Sequence, residues 1–255
     1  MLQYSRDLWN NGVLVDHRTV KDRLYAAWAD TAKALASPKR IEMLDLLAQS
    51  ERTVEALARE TGLAVNNTSS HLRVLKAARL VETRKAAQFV FYRLADDAVV
   101  ALLRDVQALA RRRLHEVDHL ARTYLDGRDP LEPVDAAELR RRLKSGEVTV
   151  IDVRPALEYE AGHIAGAWSV PLETLDARAG ELPTDRPVVA YCRGPYCVYA
   201  VEAVERLRRG GMDARRLADG LPDWRLAGHP VATGPEVKQA PPRRPAASSR
   251  RRAAS

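Results

Sequence analysis

Residues 53–94 read TVEALARETGLAVNNTSSHLRVLKAARLVETRKAAQFVFYRL. Thr53 is placed to cap a helix whose Val54, Leu57 and Ala58 face inward, and Gly62 to end it. A connection over 63–66 leads to a second helix, beginning at Asn67, with Leu72, Leu75 and Leu80 along it. From 81 to 94 the period falls to two: Val81, Thr83, Phe89 and Phe91 alternate with Val90, Tyr92 and Leu94, which predicts a β-hairpin. Two short helices on a tight connection, followed by a hairpin, make a winged helix-turn-helix, whose second helix lies in the DNA major groove. Upstream, Leu24, Ala27, Trp28, Thr31 and Leu35 recur at helical spacing. Ser37 and Pro38 open a further helix carrying Ile41, Leu44 and Leu47. Downstream, a long helix from about 97 to 124 closes this half.

The second helix starts with Asn67, Thr68, Ser69, Ser70 and His71, followed by Arg73. Short hydrogen-bonding groups with one imidazole and one guanidinium can reach base edges and phosphate oxygens. The same Ser and Asn residues would also serve as ordinary helix caps. At the hairpin tip, Arg84 and Lys85 offer cations to a phosphate backbone, with Gln88 beside them. Charge supports this placement. The chain carries a net +7, and residues 1–125 hold 20 Lys and Arg against 15 Asp and Glu. Residues 126–233 hold 15 against 18, and residues 234–255 hold 6 against 1. The front half is therefore the nucleic-acid candidate.

Asp126, Gly127, Arg128, Asp129 and Pro130, with Pro133 close behind, read as a linker. Beyond it, 135–144 is helical, VTVID(V) at 148–153 and 187–191 are buried parallel-type strands, and 198–209 is a helix. Strands alternating with helices predict a parallel sheet flanked by helices. The two cysteines, Cys192 and Cys197, bracket the loop CRGPYC between a strand end and a helix start, where open α/β sheets place their sites. Loop N–H groups and the helix N-terminus are expected to converge on Cys192, lower its pKa and hold an anionic sulfur, with Arg193 adding a cation. Buried cysteines are elsewhere inert packing. Two cysteines exclude an all-cysteine zinc site within one chain and argue against a disulfide-stapled secreted scaffold. No stretch approaches about 20 apolar residues and the start lacks a signal-peptide pattern, so a cytoplasmic protein without membrane contact is expected.

The stretches ALASPKRIEMLDLL, TVEALARETGL, SSHLRVLKAARLV and VFYRL together resemble the arsenic-repressor (ArsR) family of homodimeric winged-helix repressors, over residues 30–95. The resemblance implies dimerisation through the first and last helices of the domain. It departs from the family in three places. The helix TVEALAR lacks the Cys-x-Cys metal site of many members, the hairpin tip lacks the usual glycine, and on the last helix Gln107 follows Asp105 where the first Asp/His metal-binding pair would want a histidine. His115 and His119, with Asp118, are spaced to share a metal but read as solvated side chains, and no metal or cofactor is expected.

IDVR at 151–154, EYEAGHIAGA at 158–167, Pro171, YCRG and GLPDWRLAGHPV at 220–231 resemble the rhodanese family, over residues 132–232. The resemblance implies a Cys192 thiolate that takes sulfane sulfur as a persulfide and passes it on. It also implies a six-residue sulfur- and anion-binding loop of Cys192, Arg193, Gly194, Pro195, Tyr196 and Cys197, followed by Val198. Asp152, Arg154 and His163 read as structural. Cys197 replaces the Arg, Thr or Ser usual at its position, which weakens anion binding and supplies a resolving thiol.

The expected whole is a two-domain α/β protein. A mostly α winged helix-turn-helix at 18–125 binds DNA and dimerises, an α/β rhodanese-like domain occupies 132–232, and a disordered basic tail runs over 234–255; residues 1–17 carry no reading. The expected partners are a double-stranded DNA operator, a second copy of the chain, and a small sulfur donor (persulfide, polysulfide or thiosulfate). The expected function is a transcriptional regulator, a repressor, that senses or transfers sulfane sulfur through a Cys192 persulfide. The alternatives are a sulfurtransferase whose helical domain serves dimerisation, and an arsenic- or oxyanion-responsive regulator using the Cys192/Cys197 dithiol.

Overall fold

The computed structural model describes residues 16–126 and 133–236. Residues 1–15, most of the linker zone (127–132) and the basic tail from 237 onward lie outside the described residues. The chain divides into two compact units. One holds the residues up to Leu44 with Arg52–Asp96; the other holds Asp45–Glu51 with the residues from Asp97 onward.

The first unit runs α1 (His17–Leu35), α2 (Pro38–Leu47, whose last turn joins the second unit), β1 (Arg52–Thr53), α3 (Val54–Thr61), α4 (Val65–Ala77), β2 (Val81–Ala86) and β3 (Phe89–Leu94). Its start and stop signals work as the residues predict. Thr53 Oγ1 accepts the Ala56 N–H at 3.3 Å, and Gly62 ends α3 in the left-handed region at φ 67°. Met43, Leu44, Leu57, Leu72 and Leu75 are fully buried and form the core of this unit. By contrast, α1 buries only Ala34 and leaves Val20, Leu24, Tyr25 and Trp28 exposed, Trp28 at 60%.

Four readings need correction here. The second helix of the pair begins at Val65, two residues before Asn67, because Ala64 takes the N-cap position without any side-chain cap. The hairpin gains a third strand, with order β1–β3–β2 and Thr53 opposite Phe91. The wing turns on two residues, Ala87 and Gln88, with Ala87 at φ 49°. An alanine held there costs about 1 kcal/mol, because its Cβ crowds the following carbonyl. Finally, the long helix expected over 97–124 is interrupted. It forms α5 (Ala98–Arg113) and α6 (His115–Ala121), separated by Leu114 in an extended conformation at φ −112°, ψ 107°, and ends in a π-helical turn over Arg122–Asp126. No proline or glycine marks that break. Asp118 pairs with Arg111 at 3.4 Å and Arg122 at 2.8 Å.

The second unit continues with α7 (Ala136–Ser145), β4 (Thr149–Asp152), α8 (Ala156–Ala161), β5 (His163–Ile164), β6 (Trp168–Ser169), α9 (Leu175–Arg178), β7 (Val188–Tyr191), α10 (Val198–Arg209), β8 (Ala214–Arg216), α11 (Leu221–Leu226) and β9 (Val231–Ala232). Strands β6–β4–β7–β8 form a parallel sheet in that order, and β5 pairs antiparallel with β9. The period of two divides its core. Ile151, Val188 and Ala190 pack with Ala203, Val204 and Leu207 of α10. Val150, Val189 and Tyr191 pack with Leu139 of α7 and Trp224 of α11 on the opposite face. A sheet buried on both sides reads as continuous apolar runs, as 148–153 and 187–191 do.

Candidate functional site

In the first unit, the polar run occupies the first two turns of α4. Asn66, Asn67, Ser70 and Arg73 are exposed, and Ser69 and His71 are half-buried. Thr68 must be removed from the reading set. It is fully buried, and its hydroxyl donates to the Ala64 carbonyl at 3.1 Å. Ser70 Oγ donates to the Asn66 carbonyl at 3.0 Å and lies 3.4 Å from Arg73 Nη2. With Ala64 at the N-cap, no residue of this run caps the helix, so the capping explanation of these side chains falls away. On the wing, Arg84, Lys85 and Gln88 are exposed, and the Arg84 guanidinium lies over the Phe91 ring at 5.2 Å. Lys76 Nζ donates to Thr83 Oγ1 at 2.9 Å, tying α4 to the hairpin.

In the second unit, β7 delivers Cys192 directly after Tyr191, and Cys197 is the N-cap residue of α10. The loop between them closes on a Cys197 N–H to Gly194 carbonyl bond of 3.1 Å. Cys192 is 2% exposed, and its Sγ donates to the Cys197 carbonyl at 3.4 Å. The Cys192 thiol shifts in the opposite direction to the expected lowering. Burial pushes the Cys192 thiol well above the usual thiol range, Cys197 adds to the rise, and backbone bonds to Ala200 and Gly194 oppose it only in part. For Cys197, the hydrogen bond from Cys192 outweighs burial; with backbone bonds from Arg193 and Tyr199 and the Arg193 charge, its pKa comes down to about 7.

Arg193 adds its charge to the loop while being paired. Its guanidinium is turned onto Glu158, which is fully buried on α8. Arg193 Nε lies 3.1 Å from both carboxylate oxygens and Nη2 lies 2.5 Å from Oε1. A second cation, Arg104 on α5, borders the loop. Its Nε and Nη2 bind Asp223 at 2.6 and 3.0 Å, its Nη1 donates to Gln107 at 2.9 Å, and its Nη2 reaches the Arg193 carbonyl at 3.4 Å. Gln49 Nε2 approaches the same carbonyl at 3.3 Å, while Gln49 Oε1 accepts from Arg154 Nη1 at 3.1 Å. A cleft of about 260 Å³ opens over the loop. It is lined by Asp45, Arg104, Gln107 and residues 193–199, which include Pro195, Tyr196, Cys197 and Val198 but not Cys192.

Two further features fix the loop. Gly220 precedes α11, and a Cβ there would stand 2.5 Å from the Arg193 carbonyl oxygen and closer still to the Arg193 carbonyl carbon and the Gly194 nitrogen. Its N–H donates to Asp223 Oδ2 at 3.2 Å. Beneath the loop, Arg154 and Asp152 form a fully buried pair with Nη2–Oδ2 at 2.5 Å; Tyr191 donates to Asp152 at 2.6 Å, and Arg154 Nη2 donates to the Gly162 carbonyl at 2.7 Å. His163 is buried, stacked on Tyr159 at 3.7 Å between ring centroids, with Nδ1 2.8 Å from the Tyr159 carbonyl. Asp152 and Arg154 are thus a buried pair, and His163 is packed separately against Tyr159.

Sequence reasoning missed Gln49, Asp45, Arg104, Glu158, Asp223 and Gly220 as loop-shaping residues. Glu158, Gly220 and Asp223 lie within stretches that carry the rhodanese resemblance. Arg104 and Gln49 meet Arg193 across 89 and 144 residues of chain and carry no local signal.

Residues 37–83 match the family model for bacterial regulatory proteins of the arsR family, and residues 135–227 match that for the rhodanese-like domain. The chain is 46% identical over 209 residues to the HTH-type transcriptional regulator Rv0324 of Mycobacterium tuberculosis, covering 82% of this chain and 92% of that protein. Over 91 residues it is 36% identical to the probable adenylyltransferase/sulfurtransferase MoeZ of the same species, covering 34% of this chain and 23% of that protein. Among solved structures, the homodimeric winged helix-turn-helix DNA-binding domain Mb0332 of Mycobacterium bovis is 38% identical, with a TM-score of 0.37, covering 42% of this chain and 95% of that one. The chain belongs to the ArsR family of HTH-type transcriptional regulators, as a member that carries a rhodanese-like domain behind its winged helix-turn-helix.

Proposed function

We propose that this regulator binds a double-stranded DNA operator in the cytoplasm as a homodimer, and that its rhodanese-like domain takes sulfane sulfur, held as a Cys192 persulfide, to set that binding. The first half of the reading rests on the exposed Asn67, Ser70 and Arg73 of α4, with Ser69 and His71 beside them, and on Arg84, Lys85 and Gln88 of the wing. The exposed apolar stripe of α1 (Leu24, Tyr25 and Trp28) is of the kind a second copy covers.

The observation that carries the sulfur reading is the thiol pair, placed in one loop between a parallel strand and a helix, with hydrogen bonds bringing one thiol to about pKa 7. A persulfide, polysulfide or thiosulfate donor gives up its outer sulfur to a thiolate here, and the remainder leaves with the electron pair of the broken S–S bond. A gel shift of the natural promoter with and without inorganic polysulfide, read beside mass spectrometry of the protein, tests the reading. Operator affinity should change when Cys192 gains sulfur; unchanged affinity on fully modified protein overturns the switch.

The likeness to a probable sulfurtransferase favours a second reading, in which sulfur transfer is the main activity and the helical domain serves dimerisation. Sequence-specific DNA binding excludes it. The dithiol also suits arsenite, and arsenite-driven release of DNA with no response to polysulfide would select that third reading.

A further inference from the structure

We infer that Gln49 and Arg104 are the positioning residues that pass the sulfur state of the thiol loop to the winged helix-turn-helix: they hold the Arg193 carbonyl while Cys192 is a free thiol and release it when Cys192 carries sulfur. The inference rests on the proposed sulfur chemistry of the loop and names the residues that regulate through it.

Both side chains reach the loop from outside the rhodanese-like stretch. Gln49 lies between α2 and β1, and Arg104 lies on α5, the helix that follows the wing strand β3. Both belong to the second unit, but α2 runs back without a break into the first, where Met43 and Leu44 are core residues. A turn of the loop backbone is thereby felt on α2 and α5.

Each side chain has a firm anchor and a loose hold. Arg104 is fixed by Asp223 at 2.6 and 3.0 Å and by Gln107 at 2.9 Å. Gln49 is buried; its Oε1 accepts from Arg154 Nη1 at 3.1 Å, and its Nε2 donates to the Asp45 carbonyl at 3.2 Å. A guanidinium can only donate, so Oε1 must face Arg154 and Nε2 must face the Arg193 carbonyl. The bonds to that carbonyl are the long ones, 3.3 Å from Gln49 and 3.4 Å from Arg104, beyond the usual range for N–H donors. If the carbonyl turns away, Nε2 keeps Asp45 and Nη2 keeps Asp223. No donor is orphaned, so release costs little.

Sulfur loading supplies the cause of the turn. As a free thiol, Cys192 Sγ donates to the Cys197 carbonyl at 3.4 Å, and the Gly194 carbonyl lies 4.0 Å from the same sulfur. In the transfer, the Cys192 thiolate attacks the outer sulfur of a neutral donor, RS–SH. A bond from Cys192 Sγ to that sulfur forms, the donor's S–S bond breaks, and RS⁻ leaves with the electron pair and takes up the proton that Cys192 gave to water. The product, Cys192–S–SH, has no hydrogen on Sγ. The Cys197 and Gly194 carbonyls then face sulfur lone pairs where they had a donor, which favours turning them away. The Gly194 and Arg193 carbonyls flank one glycine Cα, where the backbone turns most freely.

Wild-type protein and the double variant Gln49→Glu with Arg104→Gln are titrated with operator DNA by fluorescence anisotropy. Each titration is run before and after inorganic trisulfide, with bound sulfur weighed by mass spectrometry. Gln49→Glu keeps the acceptor for Arg154 and removes the donor to the Arg193 carbonyl; Arg104→Gln removes the guanidinium. Loading should shift wild-type affinity about fivefold or more. The unloaded double variant should already bind with the affinity of loaded wild type. In a second measurement, which needs no variant, hydrogen exchange over 45–51 and 98–107 of wild-type protein should quicken on loading. A folded double variant that binds like unloaded wild type, or unchanged exchange in both segments of loaded wild type, overturns the role of Gln49 and Arg104 and leaves the sulfur switch standing. Fully loaded wild type with unchanged operator affinity overturns the switch, and this role with it.

Discussion

The DNA-facing surface of the first unit and the thiol loop of the second are assembled in different ways. The first is written in consecutive residues: α4 and the hairpin follow one another over 65–94, and the side chains that matter stand on them in sequence order. The second takes two thiols from one six-residue loop, but their surroundings come from across the chain. Arg104 and Gln49 meet one peptide carbonyl, Glu158 takes the Arg193 charge, and Gly220 lies against the loop backbone. A surface laid out in sequence order tolerates changes one at a time, whereas a loop held from several distant points should fail as a unit.

The largest effect is expected at Gly220. Replacing it with alanine drives a Cβ into the Arg193–Gly194 peptide, where no flexible side chain can yield. The cost should exceed about 4 kcal/mol in urea unfolding of the second unit, among the largest single-residue effects. A Gly220→Ala protein with wild-type stability would show that the loop is not fixed from α11. Next comes Asp152→Ala, which strips Arg154 of its buried carboxylate and should cost about 3–5 kcal/mol in the same measurement. Replacing both partners with apolar residues should recover much of that loss, since the isolated charge is what is costly.

The third effect is kinetic. Cys192 and Arg193 act on Cys197, and Asp45 and Arg104 line the same cleft. The Cys197 thiolate fraction should rise through about pH 7 and level off above it, on the order of ten times that of an ordinary thiol at neutrality. Because the folded pKa lies below the unfolded one, the matching stability is present above the usual thiol value and is lost as pH falls through 7. Alkylation of Cys197 that reaches half its maximum near pH 9 would contradict this.

On the DNA-facing side the expected effects are smaller and separable. Arg73→Ala should cost about 1–3 kcal/mol of specific operator binding, and Lys85→Ala should weaken all DNA alike and lower the salt slope by about one. Strong coupling between the two in a double-variant titration would erase the contrast between the two regions. Smallest of all, Ala87→Gly should relieve the positive φ at the wing and stabilise the first unit by about 0.5 kcal/mol, visible as a small rise in its melting temperature.

What was legible follows the same division. Thr53 as a cap and Gly62 as a left-handed stop could be read because each acts on atoms within five residues. The parallel strands could be read because burial on both faces makes unbroken apolar runs. The start of α4 was placed two residues late because Ala64 sits at the N-cap without a cap, so the first polar residues looked like the boundary. Thr68 looked like its polar neighbours, but helical rotation turns it inward to its own backbone. The expected lowering of the Cys192 pKa does not occur because burial, which no pattern of residues around position 192 reports, outweighs the loop N–H groups. Arg104 and Gln49 were invisible for a simpler reason: their meaning lies in a carbonyl far along the chain.

The close approach at Gly220 also bears on how the gene can drift. Every one-base change of a glycine codon that alters the amino acid adds a Cβ, and the backbone opposite has no room for one. Position 220 should therefore read as all-or-none in a saturation mutagenesis library. Gly194, where a Cβ would meet only the far end of the Arg104 side chain at 2.8 Å, should instead grade with the size of the replacement.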